Sequence, residues 1–325
     1  MTKNKEIIDF TIGTDIELIM VNPKTGRVVA AADYFNSNAP FGADSNGRTA
    51  EVRSKPSKCP LEAVRSIREY MQDAVNECPQ SFSWKWLGGS FVKGYPIGFH
   101  AHAGLKNYNY KTLLPVLNNY VGAISLLLEP KKEGVSRRLY NKTPAGNACE
   151  YGRMSDVREK KHGFEFRSAS SCVSSPYTLA SMLCLFKAVI YEQINNASFR
   201  PAEFIEAEDF VTVNQAKVRR FFPQIWQDIT KLTLYPRYKK QLDLIKYLVD
   251  NNKTWQQGKG EIKMNWGIKD FSKFLKSVPP PEIKLNKVFN APPAPPIFAE
   301  QPAVNIFNFD AIWNFDNKNN NEAEE

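Results

Sequence analysis

The chain has 325 residues, 42% of them hydrophobic and 12% aromatic, which is enough to bury a sizeable core and excludes a disordered polymer. Its net charge of +9 points to anionic partners such as nucleotide phosphates, or to solubility alone. Five cysteines, Cys59, Cys78, Cys149, Cys172 and Cys184, form no CxxC pair and show no regular spacing; this argues against a zinc ribbon or a disulfide scaffold and fits a reducing cytoplasm.

In chain order, IIDFTIGTDIELIMV (7–21) is rich in β-branched residues. It is followed by the turn-forming NPKTGR and by VVAAADYF, so a hairpin is expected. RTAEVRS (48–54) reads as a short strand. From Pro60 to about Glu77, Leu61, Val64, Ile67, Met71 and Val75 fall at helical spacing. FSWKWLGGSF (82–91) and GFHAHAG (98–104) suggest further strands, and 109–129 is helical in pattern up to Pro130. Residues 131–162 are polar, basic and turn-rich, unlike a core element. GFEFRSAS (163–170) returns to a strand, Pro176 opens an apolar helix through about Glu192, and 200–280 reads as helices, including 239–251 and 268–278. The elements interleave without a regular βαβ rhythm, so the expected class is α+β with a mainly antiparallel sheet. One domain is expected over 1–285, with a proline-rich linker and an acidic tail over 286–325. No segment reaches the roughly 20 apolar residues of a membrane span, and MTKNKEIIDF lacks the apolar run of a signal peptide. A cytoplasmic location without a membrane partner is therefore expected.

The phosphate loop GxxxxGK[ST], the GxGxxG fingerprint, the GxSxG elbow and HExxH are all missing. What the sequence offers instead is pairs at spacing two, each on an expected strand: Asp15 and Glu17, Glu51 and Arg53, His100 and His102, Glu165 and Arg167. Residues i and i+2 of a strand share a face. Taken singly, a D-x-E or E-x-R strand is more often just the solvated face of a half-exposed sheet with cross-strand ion pairs, and the histidine pair reads equally well as a structural histidine beside a free one. Gathered on one sheet face, they need compensation for buried charge, which Mg²⁺ or Mn²⁺ would supply together with substrate phosphates. Arg137, Arg138, Arg153, Arg158, Lys160 and Lys161, all within 131–161, would then clamp a polyphosphate.

The order D-x-E, E-x-R, G-x-H-x-H-x-G, YGR…R and G-x-E-x-R resembles the carboxylate–amine ligases of the glutamine synthetase and glutamate–cysteine ligase superfamily, and among them the phage-encoded type-2 subfamily. The matching stretches are GTDIE (13–17), GADSNGRTAEVRS (42–54), GFHAHAG (98–104), RRLY (137–140), YGRMSDVR (151–158) and GFEFRSAS (163–170), which together span about residues 10–190. The resemblance implies a curved antiparallel sheet like the glutamine synthetase catalytic domain, with helices on its convex face. Its concave face would hold ATP, divalent ions and a carboxylate. In that chemistry ATP phosphorylates the carboxylate and an amine displaces phosphate to leave an amide.

By the same resemblance Asp15, Glu17, Glu51 and Glu165 are metal ligands, joined by His100 or His102. Arg153, Arg158 and Arg167 act on the transferred phosphoryl group, while Arg137, Arg138 and His102 fall to ATP or substrate contacts. Asp15 stands where glutamine synthetases have a glutamate, and Asp44 is available as a further acid. The base that deprotonates the amine stays open among Glu133, Glu150 and Glu159.

Two other classes compete. A metal-dependent hydrolase would use the same acids and histidines on a metal-bound water, with less need of the arginine-rich segment. A non-catalytic phage structural or binding protein would keep the fold with its site dispersed. Nucleic-acid binding rests only on the charge and on aromatics such as Trp84 and Trp86, and ranks last.

Overall fold

The strand β1 (Thr11–Val21) organises the sheet. Up to Leu18 it alternates, with Ile12, Ile16 and Leu18 on one face and Gly13, Asp15 and Glu17 on the other. From Ile19 onward it is apolar on both faces, and both are covered. Its length lets it carry two sets of neighbours. Its first half pairs with β4 (Ala50–Arg53) and β8 (Phe99–Gly104), and its second half with β2 (Val28–Val29) and β5 (Lys85–Leu87). With β3 (Phe41–Ala43), β9 (Val157–Lys160) and β10 (Gly163–Phe166), the order is β3-β4-β1-β8-β10-β9, antiparallel at every pairing. A small ribbon, β6 (Phe91–Val92) with β7 (Tyr95–Pro96), places Val92 beside Ile19, Val21 and Ile97. Ile19 and Val21 follow Glu17 on the same side of β1, so this apolar cluster adjoins the acids.

The computed structural model describes residues 7–140, 151–255 and 261–270. The helices are α1 (Pro60–Glu77), α2 (Leu114–Val116), α3 (Ala123–Leu128), α4 (Lys131–Arg138), α5 (Pro176–Asn195), α6 (Ala207–Thr212), α7 (Gln215–Lys231), α8 (Tyr235–Asp250) and α9 (Ile262–Asn265). Helix α1 turns Ala63, Val64, Ile67, Met71 and Val75 inward and lies against β1, β3 and β4. Helix α5 is buried almost all round: Phe186 meets Phe164 of β10, and α1 and α8 pack on its flanks. The fold is thus α+β, with one face of the sheet cemented to helices through Ile12, Ile16, Leu18, Val52, Phe99, Ala101, Phe164 and Phe166.

The strands of GTDIE, AEVRS, FHAHAG and GFEF and the long helices α1, α5 and α8 fall near where the sequence pattern placed them. By contrast, VVAAADYF keeps only Val28–Val29 as strand before a 3₁₀ turn at Ala31–Asp33, and FSWKWLGGSF is split between a 3₁₀ turn, β5 and β6. The basic stretch after residue 130 differs, because it forms α4 and β9 rather than a loop. Helix α4 buries Arg137 and Arg138, whose charge hides its inward face from any hydropathy pattern, and β9 is an edge strand with Arg158 and Glu159 exposed. The helical stretch at 109–129 is also composite, with a 3₁₀ turn at Tyr110–Leu113 and a π-helical segment at Leu117–Gly122. Gly122 allows the Phe210 ring to approach, since a Cβ there would stand 2.5 Å from it. By length and composition Tyr110–Leu128 is apolar enough to cross a membrane, yet it is mostly buried inside the protein. The helix expected at 268–278 lies outside the described residues beyond 270, as does the proposed boundary near 285.

Gly163 opens β10 with φ of +149°, and a Cβ there would meet the Ala103 carbonyl oxygen at 2.1 Å. Gly163→Ala is expected to cost roughly 2–4 kcal/mol, from backbone strain plus overpacking, read as a lower urea midpoint at unchanged slope.

Candidate active site

Register alone gathers the site. Directly opposite residues in an antiparallel pair share a face. Asp15 faces both Arg53 and His100, Glu17 faces Glu51, Gly13 faces His102, and Glu165 faces both His102 and Arg158. One side of the sheet therefore carries four carboxylates and two imidazoles across β4, β1, β8 and β10, opposite the face that packs on α1 and α5.

His100 is the hub of this cluster. Its Nδ1 lies 3.4 Å from Glu165 Oε1 and 3.7 Å from Glu51 Oε1, and its Nε2 lies 3.8 Å from Glu17 Oε2. Burial works against a charged imidazole, but the three carboxylates outweigh it and hold the His100 pKa above its ordinary value. Burial pushes the Glu17 pKa up, with the charges of Asp44 and Glu51 adding to it against His100 and Tyr151. Asp44 thus acts on this centre from the turn after β3. Asp15 behaves oppositely: although burial resists its ionisation, the His102 hydrogen bond at 3.1 Å and its charge keep the Asp15 pKa low.

Glu165 is buried at 2% exposure and is met by His100, by Lys160 Nζ at 2.7 Å and by Arg167 Nε at 3.5 Å. Arg167 in turn reaches Asp156 Oδ1 at 3.5 Å and lies over the Tyr151 ring. Arg53 pairs with Glu51 and donates to the Ala39 carbonyl. Arg158 shares the face of Glu165 from the exposed edge strand, and Arg153 is half-buried in the turn leading to β9.

Arg137 and Arg138 are engaged elsewhere. Arg137, fully buried, donates to the carbonyls of Arg167, Ser168 and Ala169, all at 2.9 Å, and so holds the chain as it leaves β10. Arg138 pairs with the equally buried Glu129 at 2.6 Å and donates to the Gly152 and Gly134 carbonyls. Both guanidiniums serve the protein's own main chain and Glu129 rather than facing the acid cluster. Arg138→Ala, which strands Glu129, is expected to cost about 3–5 kcal/mol, measured by equilibrium unfolding. Among the candidate bases, Glu159 pairs with Phe164 and so points to the helix side of the sheet. Glu133 accepts from Ser90 N at 3.4 Å, and Glu150 lies outside the described residues.

Three participants escaped the spacing argument. Tyr151 donates to Glu17 Oε2 at 2.5 Å and meets His100 Nε2 at 2.7 Å. Gly98 donates its N–H to the same Glu17 oxygen at 2.6 Å. His162, in the turn between β9 and β10, meets His102 Nδ1 at 3.3 Å. Tyr151 was inside a quoted motif, but its partner lies 134 residues away and no periodicity links the two.

A divalent cation fits this donor set. Among the described residues, Glu17, Glu51 and His100 each offer one ligand atom, and these atoms lie within 4.8 Å of one another, all three side chains being buried. Carboxylate oxygens with one imidazole nitrogen suit Mg²⁺ or Mn²⁺ better than zinc.

The fold is shared with a solved structure of low sequence identity. The chain resembles PafA in the crystal structure of the complex between prokaryotic ubiquitin-like protein Pup and its ligase PafA, with a TM-score of 0.50, 8% identity, and coverage of 82% of this chain and 69% of that one. It also matches a bifunctional glutathione synthetase from Pasteurella multocida (TM-score 0.41, 13% identity, 80% and 51% covered) and a novel glutamine synthase homolog (0.38, 12%, 80% and 71%). No curated protein matches in sequence. The family model described as phage phiEco32-like COOH·NH2 ligase-type 2 matches residues 12–268, and the chain belongs to that family. It is, at that level, a carboxylate–amine ligase.

Proposed function

We propose that the chain is an ATP- and Mg²⁺-dependent ligase that joins a carboxylate to an amine through an acyl phosphate. The observation that carries this is the closeness of three carboxylates around one buried imidazole, His100, on a single sheet face. Arg53, Lys160 and Arg167 offset part of that negative charge, and a bound divalent cation would offset the rest.

Glu17, Glu51 and His100, with Glu165 alongside, would hold the metal, and Asp15 would extend the acidic face toward His102. When bound, the cation supplies neutralisation of phosphate charge. The chain's own residues do the rest. Arg167 stays charged, because Asp156, Tyr151 and the nearby carboxylates outweigh its burial, and it is the cation of this face best placed to meet a transferred phosphoryl group. Lys160 and Arg158 extend that positive rim along β9, with Arg153 in the turn before it. The main-chain grip of Arg137 fixes Arg167 at its carbonyl. The substrates would be small-molecule or peptide carboxylates and amines.

Phosphoryl transfer needs positioning and charge neutralisation more than covalent help, and this face offers both. A simple hydrolase would have less need of this cationic rim, and the dispersed, non-catalytic arrangement does not describe a site in which His100 and Glu165 stand 3.4 Å apart. The test incubates the full chain with ATP, Mg²⁺ and pooled carboxylates and amines, following ADP and amide mass. ADP formation that requires both pools is expected. Nucleotide-free turnover with Mn²⁺ would place the chain among hydrolases and refute the ligase reading.

A further inference from the structure

We propose that Tyr151 is a positioning residue that selects Nδ1 of His100 as the metal-facing nitrogen; this rests on the metal-site reading above. One short hydrogen-bond chain links Gly98, Glu17, Tyr151 and His100. Glu17 Oε2 accepts the main-chain N–H of Gly98 at 2.6 Å. The Tyr151 hydroxyl gives its single proton to the same oxygen at 2.5 Å. With that proton committed, the tyrosine oxygen can only accept from His100 Nε2, 2.7 Å away, so Nε2 carries hydrogen.

The opposite nitrogen, Nδ1, points at Glu51 Oε1 and Glu165 Oε1, 3.7 and 3.4 Å away. Without a cation, Nδ1 can carry hydrogen and face those oxygens as a donor; a cation lying among them would take the place of that hydrogen and leave Nε2 protonated. A ligating histidine generally has its ring orientation and tautomer fixed by whatever its other nitrogen bonds. Tyr151 occupies that place for His100 and, through the same hydroxyl, ties down Glu17.

The tyrosine is itself held rigidly. Its ring lies 4.4 Å from the Arg137 guanidinium carbon and 4.7 Å from that of Arg167. Gly152, at φ +76°, leaves room for Arg137, since a Cβ there would stand 2.1 Å from Nη1. The turn is pinned from the π-helical segment by Asn118, which accepts from Ser155 N at 3.0 Å and donates to Ser155 Oγ at 2.8 Å. Gly98 is needed as well, because a Cβ there would meet the Tyr151 hydroxyl at 2.4 Å. Arg137, Arg167, Asn118 and Gly98 thus place the hydroxyl from four separate parts of the chain.

Tyr151→Phe keeps the ring between the guanidiniums and removes only the oxygen. Mn²⁺ alone is the probe, titrated into the full chain and followed by electron paramagnetic resonance. The unaltered chain is expected to bind Mn²⁺ with a coupled histidine ¹⁴N. Tyr151→Phe is expected to bind it about tenfold or more weakly, with that coupling diminished, at an unchanged circular dichroism spectrum. Equal affinity and equal coupling in the variant would overturn the positioning role while leaving the metal site standing. No Mn²⁺ binding by the unaltered chain would overturn both. If the variant fails to fold, ¹⁵N-histidine spectra of the unaltered, Mg²⁺-loaded chain decide: with three histidines to assign, His100 should carry its hydrogen on Nε2, and hydrogen on Nδ1 would refute the proposal.

Discussion

Glu165→Gln is expected to weaken Mg²⁺ binding by about a hundredfold and to lower stability by about 1–3 kcal/mol. The substitution preserves shape and removes one negative charge from a point where His100, Lys160 and Arg167 converge. Its acid profile should change as well. Burial opposes ionisation of Glu165, but His100 and Lys160 outweigh it and hold its pKa below the ordinary 4.5. A carboxyl whose folded pKa is depressed stabilises the fold above its unfolded pKa and loses that contribution as pH falls through the folded value. The native chain should therefore lose stability on the acid side of pH 4.5, and the Glu165→Gln variant should lose less over the same window. Urea unfolding at graded pH, with and without Mg²⁺, measures both effects. An unchanged metal affinity would remove Glu165 from the site.

Arg167→Lys is expected to lower the rate of ADP formation by about a hundred- to a thousandfold with little change in ATP affinity. Lysine keeps the charge but loses the planar fork, which here reaches toward Asp156 and Glu165 while lying over Tyr151. Its point charge cannot span those positions at once. A rate within a few fold of the native chain would show that Arg167 organises Glu165 without acting on the transferred group. The parallel Arg138→Ala substitution provides the contrast, because that guanidinium pairs with Glu129 and main-chain carbonyls, and its loss should appear in stability.

The acid-bearing face was legible because a strand repeats every two residues: D-x-E, E-x-R, H-x-H and E-x-R announce side chains on a common face without any knowledge of partners. Which strands neighbour one another was not legible from spacing, and it is the register of β1 against β4 and β8 that turns four pairs into one cluster. The arginine-rich segment shows why composition misleads. Arg137 and Arg138 look like phosphate ligands by charge, yet both are buried, donating to main-chain carbonyls and pairing with Glu129, a long-range arrangement that no local pattern encodes. Tyr151 was invisible for the related reason that its significance lies in two hydrogen bonds to strands far away in sequence. GFHAHAGL itself divides: His100 faces the carboxylates, while His102 bridges Asp15 and His162 toward solvent.

In the proposed function, this face binds nucleotide through a metal held by its carboxylates. Calorimetric titration of ATP into the full chain tests it most directly, run with Mg²⁺, with a chelator, and with Glu17→Gln in Mg²⁺. Tight binding in the first case and its loss in the other two is the result expected here. Equal ATP affinity in all three would contradict the claim.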